Sequence, residues 1–170
     1  MIDLRVLGPV RVLADDRDLD IGHARQRSLL AMLLVDVNNV VPRERLAELV
    51  WDGRPPRQAR NTLAGYATRL RKVLASSPGR PVLSSQGGGY VLRVDPAAVD
   101  LCRFRDLAGR AAGVGDDEER CGLLRSALAQ WSGAALSNLW GTRVESLRTT
   151  LDSERRSALL DYFDAQLRLG

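Results

Sequence analysis

The apolar positions of this chain change period near Ala24: before it they fall in short β-branched runs, and after it they recur at three- and four-residue steps. Asp3–Val12 (DLRVLGPVRV), interrupted by Gly8-Pro9, predicts a strand, a kink and a second short strand. Asp15-Asp16-Arg17-Asp18 reads as a polar turn, and the alternation Leu19-Asp20-Ile21 as a third strand completing a small antiparallel sheet. Leu29, Leu30, Leu33, Leu34 and Val37 then keep helical spacing up to Asn38-Asn39, a helix-ending signal. Val41-Pro42-Arg43 opens a second helix, with Leu46, Leu49 and Val50 on one face. Asp52-Gly53-Arg54-Pro55-Pro56 stops it, because proline lacks a donor and disfavours helix before it. A third helix runs from Arg57 or Ala59 to Ala75 on the stripe Leu63, Tyr66, Ala67, Leu70, Val73 and Leu74. Ser76–Gly79 reads as a turn, and Pro81–Arg93 as a β-hairpin with its tip around Ser85–Gly89.

Strand signals stop past Asp95-Pro96. Phe104, Leu107, Ala108 and Ala111 form a helical stripe, broken at Gly113-Val114-Gly115. Asp116-Asp117-Glu118-Glu119 fits the negative first turn of the next helix, which buries Leu123, Leu124, Ala127 and Leu128 and ends at Trp131-Ser132-Gly133. A long helix follows from about Arg143 to Leu169. Three helices and a hairpin behind a small sheet predict an α+β winged helix-turn-helix over 1–94; the helices of 95–170 predict an all-α helical-repeat region.

Charge sharpens this division. The net charge is only +4, but residues 1–93 carry 15 basic against 9 acidic side chains, and residues 94–170 carry 10 against 12. Between Asp52 and Asp95 there is no acidic residue, while Arg54, Arg57, Arg60, Arg69, Arg71, Lys72, Arg80 and Arg93 all lie there. A segment of one sign attracts a polyanion, because neutralised phosphates release counterions. At about 100° per residue, the face of the third helix opposite its apolar stripe carries Asn61, Gly65, Thr68 and Lys72, with Arg69 and Arg71 on the rims. Gly65 costs that helix about 1 kcal/mol relative to alanine, which a close external approach of the backbone would explain. Together these features point to double-stranded DNA.

The residues resemble the SARP/AfsR family of actinobacterial antibiotic-regulatory activators, whose DNA-binding part is of the OmpR/PhoB winged-helix class. The resemblance is carried by Leu4–Val10 (LRVLGPV), Arg25–Ala31 (RQRSLLA), Arg45–Trp51 (RLAELVW), Ala59–Leu63 (ARNTL), Tyr66–Leu74 (YATRLRKVL), Gly89–Leu92 (GYVL) and Val99–Phe104 (VDLCRF). It implies an OmpR/PhoB-type winged-helix DNA-binding domain over 1–94, then over 95–170 the N-terminal part of a tetratricopeptide-like bacterial transcriptional activation domain. Helix 43–51 would be the positioning helix and 59–75 the recognition helix. The loop 52–58, with Asp52, Gly53, Arg54 and Arg57, would face RNA polymerase. The hairpin 82–93 would be the wing, with Gln86 and Gly88 near its tip. Base-reading positions fall on Ala64, Gly65 and Arg69, of which only Arg69 can make a bidentate contact to guanine. Arg60, Asn61, Thr62, Tyr66, Arg71 and Lys72 would hold phosphates, although Tyr66 borders the apolar stripe and serves the core equally well. Gln86 stands where the wider class often has a wing-tip arginine, so modest affinity is expected from the wing. The implied partners are direct-repeat DNA, a second copy on that DNA, and the sigma factor and core subunits of RNA polymerase. Family members continue through further helical pairs, so the last helix here is expected to leave an apolar face uncovered.

Other chemistry finds no support in the residues. Gly87-Gly88-Gly89 is not followed by Gly-Lys-Ser/Thr and leads into a strand, so it is no phosphate loop. His23 is the only histidine and has no companion for a metal site or a catalytic base. Cys102 and Cys121 lack C-x-x-C spacing and read as reduced thiols. Trp51, Trp131 and Trp140 read as core packing. No enzymatic activity, cofactor, metal or membrane contact is expected, and a cytoplasmic, nucleoid-associated location follows. Two alternatives stay open: a scaffold that binds protein through the same elements, and a repressor that binds DNA but blocks polymerase.

Overall fold

A computed structural model of the chain describes residues 1–77 and 79–170; Pro78, within the turn expected at Ser76–Gly79, lies outside the described residues. The first sheet is formed by β1 (Ile2–Arg5), β2 (Arg11–Ala14) and β3 (Arg17–Asp18), antiparallel in that order. β3 lies earlier than the Leu19–Ile21 expected from alternation. Asp15 and Asp16 take left-handed φ of 48° and 63°, so a two-residue turn reverses the chain at once and sets Arg17 opposite Ala14. Ile21 enters the core instead.

α1 (Ala24–Val35) is buried along its whole second half, from Ser28 to Val35, and packs against α2 (Arg43–Val50), α3 (Ala59–Ala75) and the wing. It ends before Val37, and Asn38 at φ 66° turns the chain away. The Asn38 side chain donates to the Val94 carbonyl and accepts from the Val94 N–H, both at 3.0 Å, which fastens the exit of the wing.

A strand of only two residues, β4 (Val41–Pro42), joins β5 (Val82–Gln86) and β6 (Gly89–Arg93) in the order β4-β6-β5. Gly89 faces Pro42 there, and a β-carbon on it would lie 2.0 Å from the Val41 carbonyl oxygen, so no larger residue fits. Gly87 and Gly88, at φ 54° and 76°, make the two-residue turn at the tip.

A 3₁₀ turn at Pro96–Ala98 leads into α4 (Asp100–Gly113), α5 (Asp117–Leu128) and α6 (Thr142–Leu169), with α5 packed between the other two. Asp116 caps α5 by accepting from the Glu119 N–H at 2.7 Å. These helices do not stand apart from the first half. The kinked segment Val6–Val10 is gripped by them: the Ser132 N–H donates to the Leu7 carbonyl at 2.8 Å and the Leu136 N–H to that of Val6 at 3.1 Å. Asn138 pairs with both backbone groups of Val10. The Asp100 carboxylate accepts from the N–H groups of Val6 and Leu7 at 2.9–3.0 Å. One apolar core consequently runs from Ile2 through the winged-helix elements to Ala158.

The tryptophans divide. Trp131 is buried edge-on to Phe104 under the Arg155 guanidinium, and Trp51 stacks on Tyr66. Trp140 is 74% exposed, contrary to the expectation of core packing. Leu136 and Leu139 take the inward positions of its loop, and Gly141 at φ 125° redirects the chain beyond it. On α6, Leu160, Phe163 and Leu167 form an exposed apolar stripe.

Candidate nucleic-acid interface

The geometry of α3 follows from its period. Leu63, Tyr66, Ala67, Leu70 and Leu74 are buried, which turns Arg60, Asn61, Ala64, Gly65, Thr68, Arg69 and Lys72 to solvent on one arc. Among the described residues, none of Arg60, Arg69 and Lys72 is engaged in an ion pair. The first turn of α3 has no side-chain cap, and its leading N–H, that of Ala59, donates to the Pro56 carbonyl at 3.1 Å. At Gly65 an added β-carbon would meet no atom within 4 Å, so nothing inside the chain demands glycine there.

Three expected contact residues are partly committed to the protein itself. Tyr66 is only 8% exposed, with its ring against His23 at 5.0 Å and Trp51 at 6.2 Å; it sets α3 against the start of α1 and the end of α2. Arg71 is half-buried and its Nε donates to the Leu83 carbonyl at 2.7 Å, coupling the helix to β5. The Thr68 hydroxyl donates back to the Ala64 carbonyl at 2.9 Å and keeps its lone pairs outward. Thr62 is half-buried.

At the wing, Gln86 and Gly88 are exposed, and Gln86 does not stand alone: Arg93 Nη2 donates to its Oε1 at 3.2 Å. Residues 89, 91 and 93 share one face of β6 opposite 86, 84 and 82, so this bond runs diagonally along the hairpin and brings a guanidinium toward the tip. Arg43 adds a second cation next to the tip of the wing, with Nη2 on the Ser85 hydroxyl at 3.1 Å and its guanidinium 5.6 Å from the Tyr90 ring centre. Neither arginine was singled out from sequence as a wing residue, although strand alternation places Arg93 on the face of Gln86.

The loop 52–58 is anchored to the helical half at its start. Asp52, at φ 51°, accepts from the Arg143 N–H at 2.8 Å. The backbone N–H groups of Arg143 and Thr142 hold its carboxyl below the usual carboxylate range. Glu48 pairs with the Arg143 guanidinium at 3.1 Å. Arg54 and Arg57 remain exposed. Asp52 thereby caps α6, a role no local sequence signal announces.

Residues 21–92 match the family model described as "Transcriptional regulatory protein, C terminal", and residues 99–170 match "Bacterial transcriptional activator domain". The chain is 34% identical over 168 residues to the regulatory protein AfsR of Streptomyces griseus, covering 97% of this chain and 17% of that protein. It is 31% identical over 176 residues to the transcriptional regulator RedD of Streptomyces coelicolor, covering 99% of this chain and 50% of that protein. Among solved structures, Mycobacterium tuberculosis EmbR in complex with a low affinity phosphopeptide superposes with a TM-score of 0.89 at 30% identity, over 98% of this chain and 45% of that one. The chain therefore spans at most half the length of these relatives. With an OmpR/PhoB-type regulatory domain joined directly to a bacterial transcriptional activator domain, it belongs to the SARP family of transcriptional regulators.

Proposed function

We propose that this chain binds double-stranded DNA sequence-specifically and activates transcription of a secondary-metabolite gene cluster. The observation that carries the reading is the outward arc of α3: Arg60, Asn61, Thr68, Arg69 and Lys72 around a bare Gly65, within a stretch free of acidic residues. In this reading Arg69 reads a guanine edge, and Ala64 and Gly65 admit the duplex closely. Arg60, Asn61, Thr62, Arg71 and Lys72 hold phosphates, and Tyr66 braces the helix from the core. Gln86 and Gly88 bring the wing to the adjacent groove or backbone. Residues 1–94 serve as the DNA-binding unit, and 95–170 as the start of the activation unit. Two copies sit side by side on direct repeats about 10–10.5 bp apart, one helical turn, so that both face the same side of the duplex. Arg54 and Arg57, on the anchored loop with Asp52 and Gly53, meet RNA polymerase.

The test is selection from a pool of random duplex DNA, then titration of the winner across salt. Two direct repeats one turn apart, with affinity falling steeply as salt rises, are the expected outcome. Weak binding with no enrichment would overturn sequence-specific recognition and favour the protein-scaffold alternative.

A further inference from the structure

Trp140 is 74% exposed, and it directly precedes Gly141, whose α-carbon abuts the loop 52–58: a β-carbon on Gly141 would lie 3.0 Å from Asp52 Cγ. Through Gly141, Trp140 thus adjoins the first residue of the 52–58 loop, although the two lie far apart along the chain. Two acidic groups at this junction are already occupied. Asp52 accepts from the first turn of α6, and Glu48 pairs with Arg143. Arg54 and Arg57, by contrast, are exposed and have no ion-pair partner among the described residues. Pro55 and Pro56, also exposed, restrict the backbone between them. What remains is a large exposed apolar side chain next to Gly141, and a stiff loop that presents two exposed arginines.

We propose that Trp140 and the loop Arg54–Arg57 form one docking surface for an acidic, amphipathic protein helix, with the indole taking an apolar side chain and the arginines its carboxylates. This rests on the polymerase-recruitment reading and adds to it that the helical half contributes its own anchor. Tryptophan and arginine are the side chains that most often carry binding energy at protein interfaces. A DNA backbone offers charge to the arginines but no apolar side chain to the indole, so protein is favoured over a second DNA contact. Because the Asp52 cap holds the loop against α6, the surface is assembled before a partner arrives, which lowers the ordering cost of association.

The experiment uses the full chain, the DNA selected above, and purified RNA polymerase holoenzyme from Streptomyces coelicolor, read as ternary-complex formation and as run-off transcript. Trp140→Ala is expected to leave thermal stability and DNA affinity within about twofold of the original, because an exposed ring contributes little to either. Ternary-complex affinity is expected to fall at least about tenfold, with Trp140→Phe retaining most of it. The double charge reversal Arg54→Glu with Arg57→Glu is expected to fall similarly, again without loss of fold. Full recruitment by Trp140→Ala would overturn the docking surface. A loss of DNA affinity equal to the loss of ternary complex would assign the patch to DNA instead. If the original chain binds its selected DNA but forms no ternary complex, the polymerase reading falls, and the docking surface with it.

Discussion

Gly65 occupies the middle of the exposed arc of α3 with open space where a side chain would begin. In a helix of the free protein, glycine costs about 1 kcal/mol relative to alanine. Gly65→Ala is therefore expected to stabilise the protein by about 0.5–1 kcal/mol and to weaken binding to its selected DNA, the methyl group standing where backbone meets duplex. Thermal unfolding and fluorescence anisotropy measure the two effects; a stabilised variant that binds equally well would remove close backbone approach from the reading. Much of this arc was legible in the sequence, because a 3.6-residue period assigns each position of a helix to a face. Tyr66 shows the limit of that argument. Its place at the edge of the stripe was legible, but its wedging between His23 and Trp51 was not, since those residues belong to other elements.

The wing illustrates what an element adds to its residues. Two β-rich runs around a glycine cluster announce a hairpin, and the hairpin appears as β5 and β6 with Gly87-Gly88 at its tip. Its third strand, β4, is two residues long, and so short a strand carries no period to read. Pairing within the hairpin also supplies a charge that Gln86 lacks, through Arg93. Arg93→Ala is accordingly expected to weaken binding to all DNA sequences alike and to shallow the salt slope by about one unit. A slope equal to that of the original chain would place Arg93 outside the interface.

Asp100 joins the two halves. Its side chain is 1% exposed, and burial pushes its carboxyl up to about 6 from the ordinary 3.8, against the pull of the N–H groups of Leu7, Val6 and Leu101. Between those two pH values the folded chain keeps a proton that the unfolded chain has released. The stability this group contributes is thus fully present below about pH 4 and lost as pH rises through about 6. Urea unfolding from pH 4 to 7 is expected to show a decline of about 2 kcal/mol from this group. Asp100→Asn should lack it; the same decline in both proteins would assign the titration to another residue. Chain order alone determined the helices, the hairpin, the division of charge and the exposed arc of α3, because each depends on neighbours within a turn or two of backbone. Folding in three dimensions decided the rest: Asp100 on the Val6–Leu7 backbone, Asp52 on the N-terminus of α6, Trp140 facing solvent beside the 52–58 loop. The hydrogen bonds among these join residues more than ninety positions apart, where no local period links donor to acceptor and only the close packing of one shared core brings them within reach.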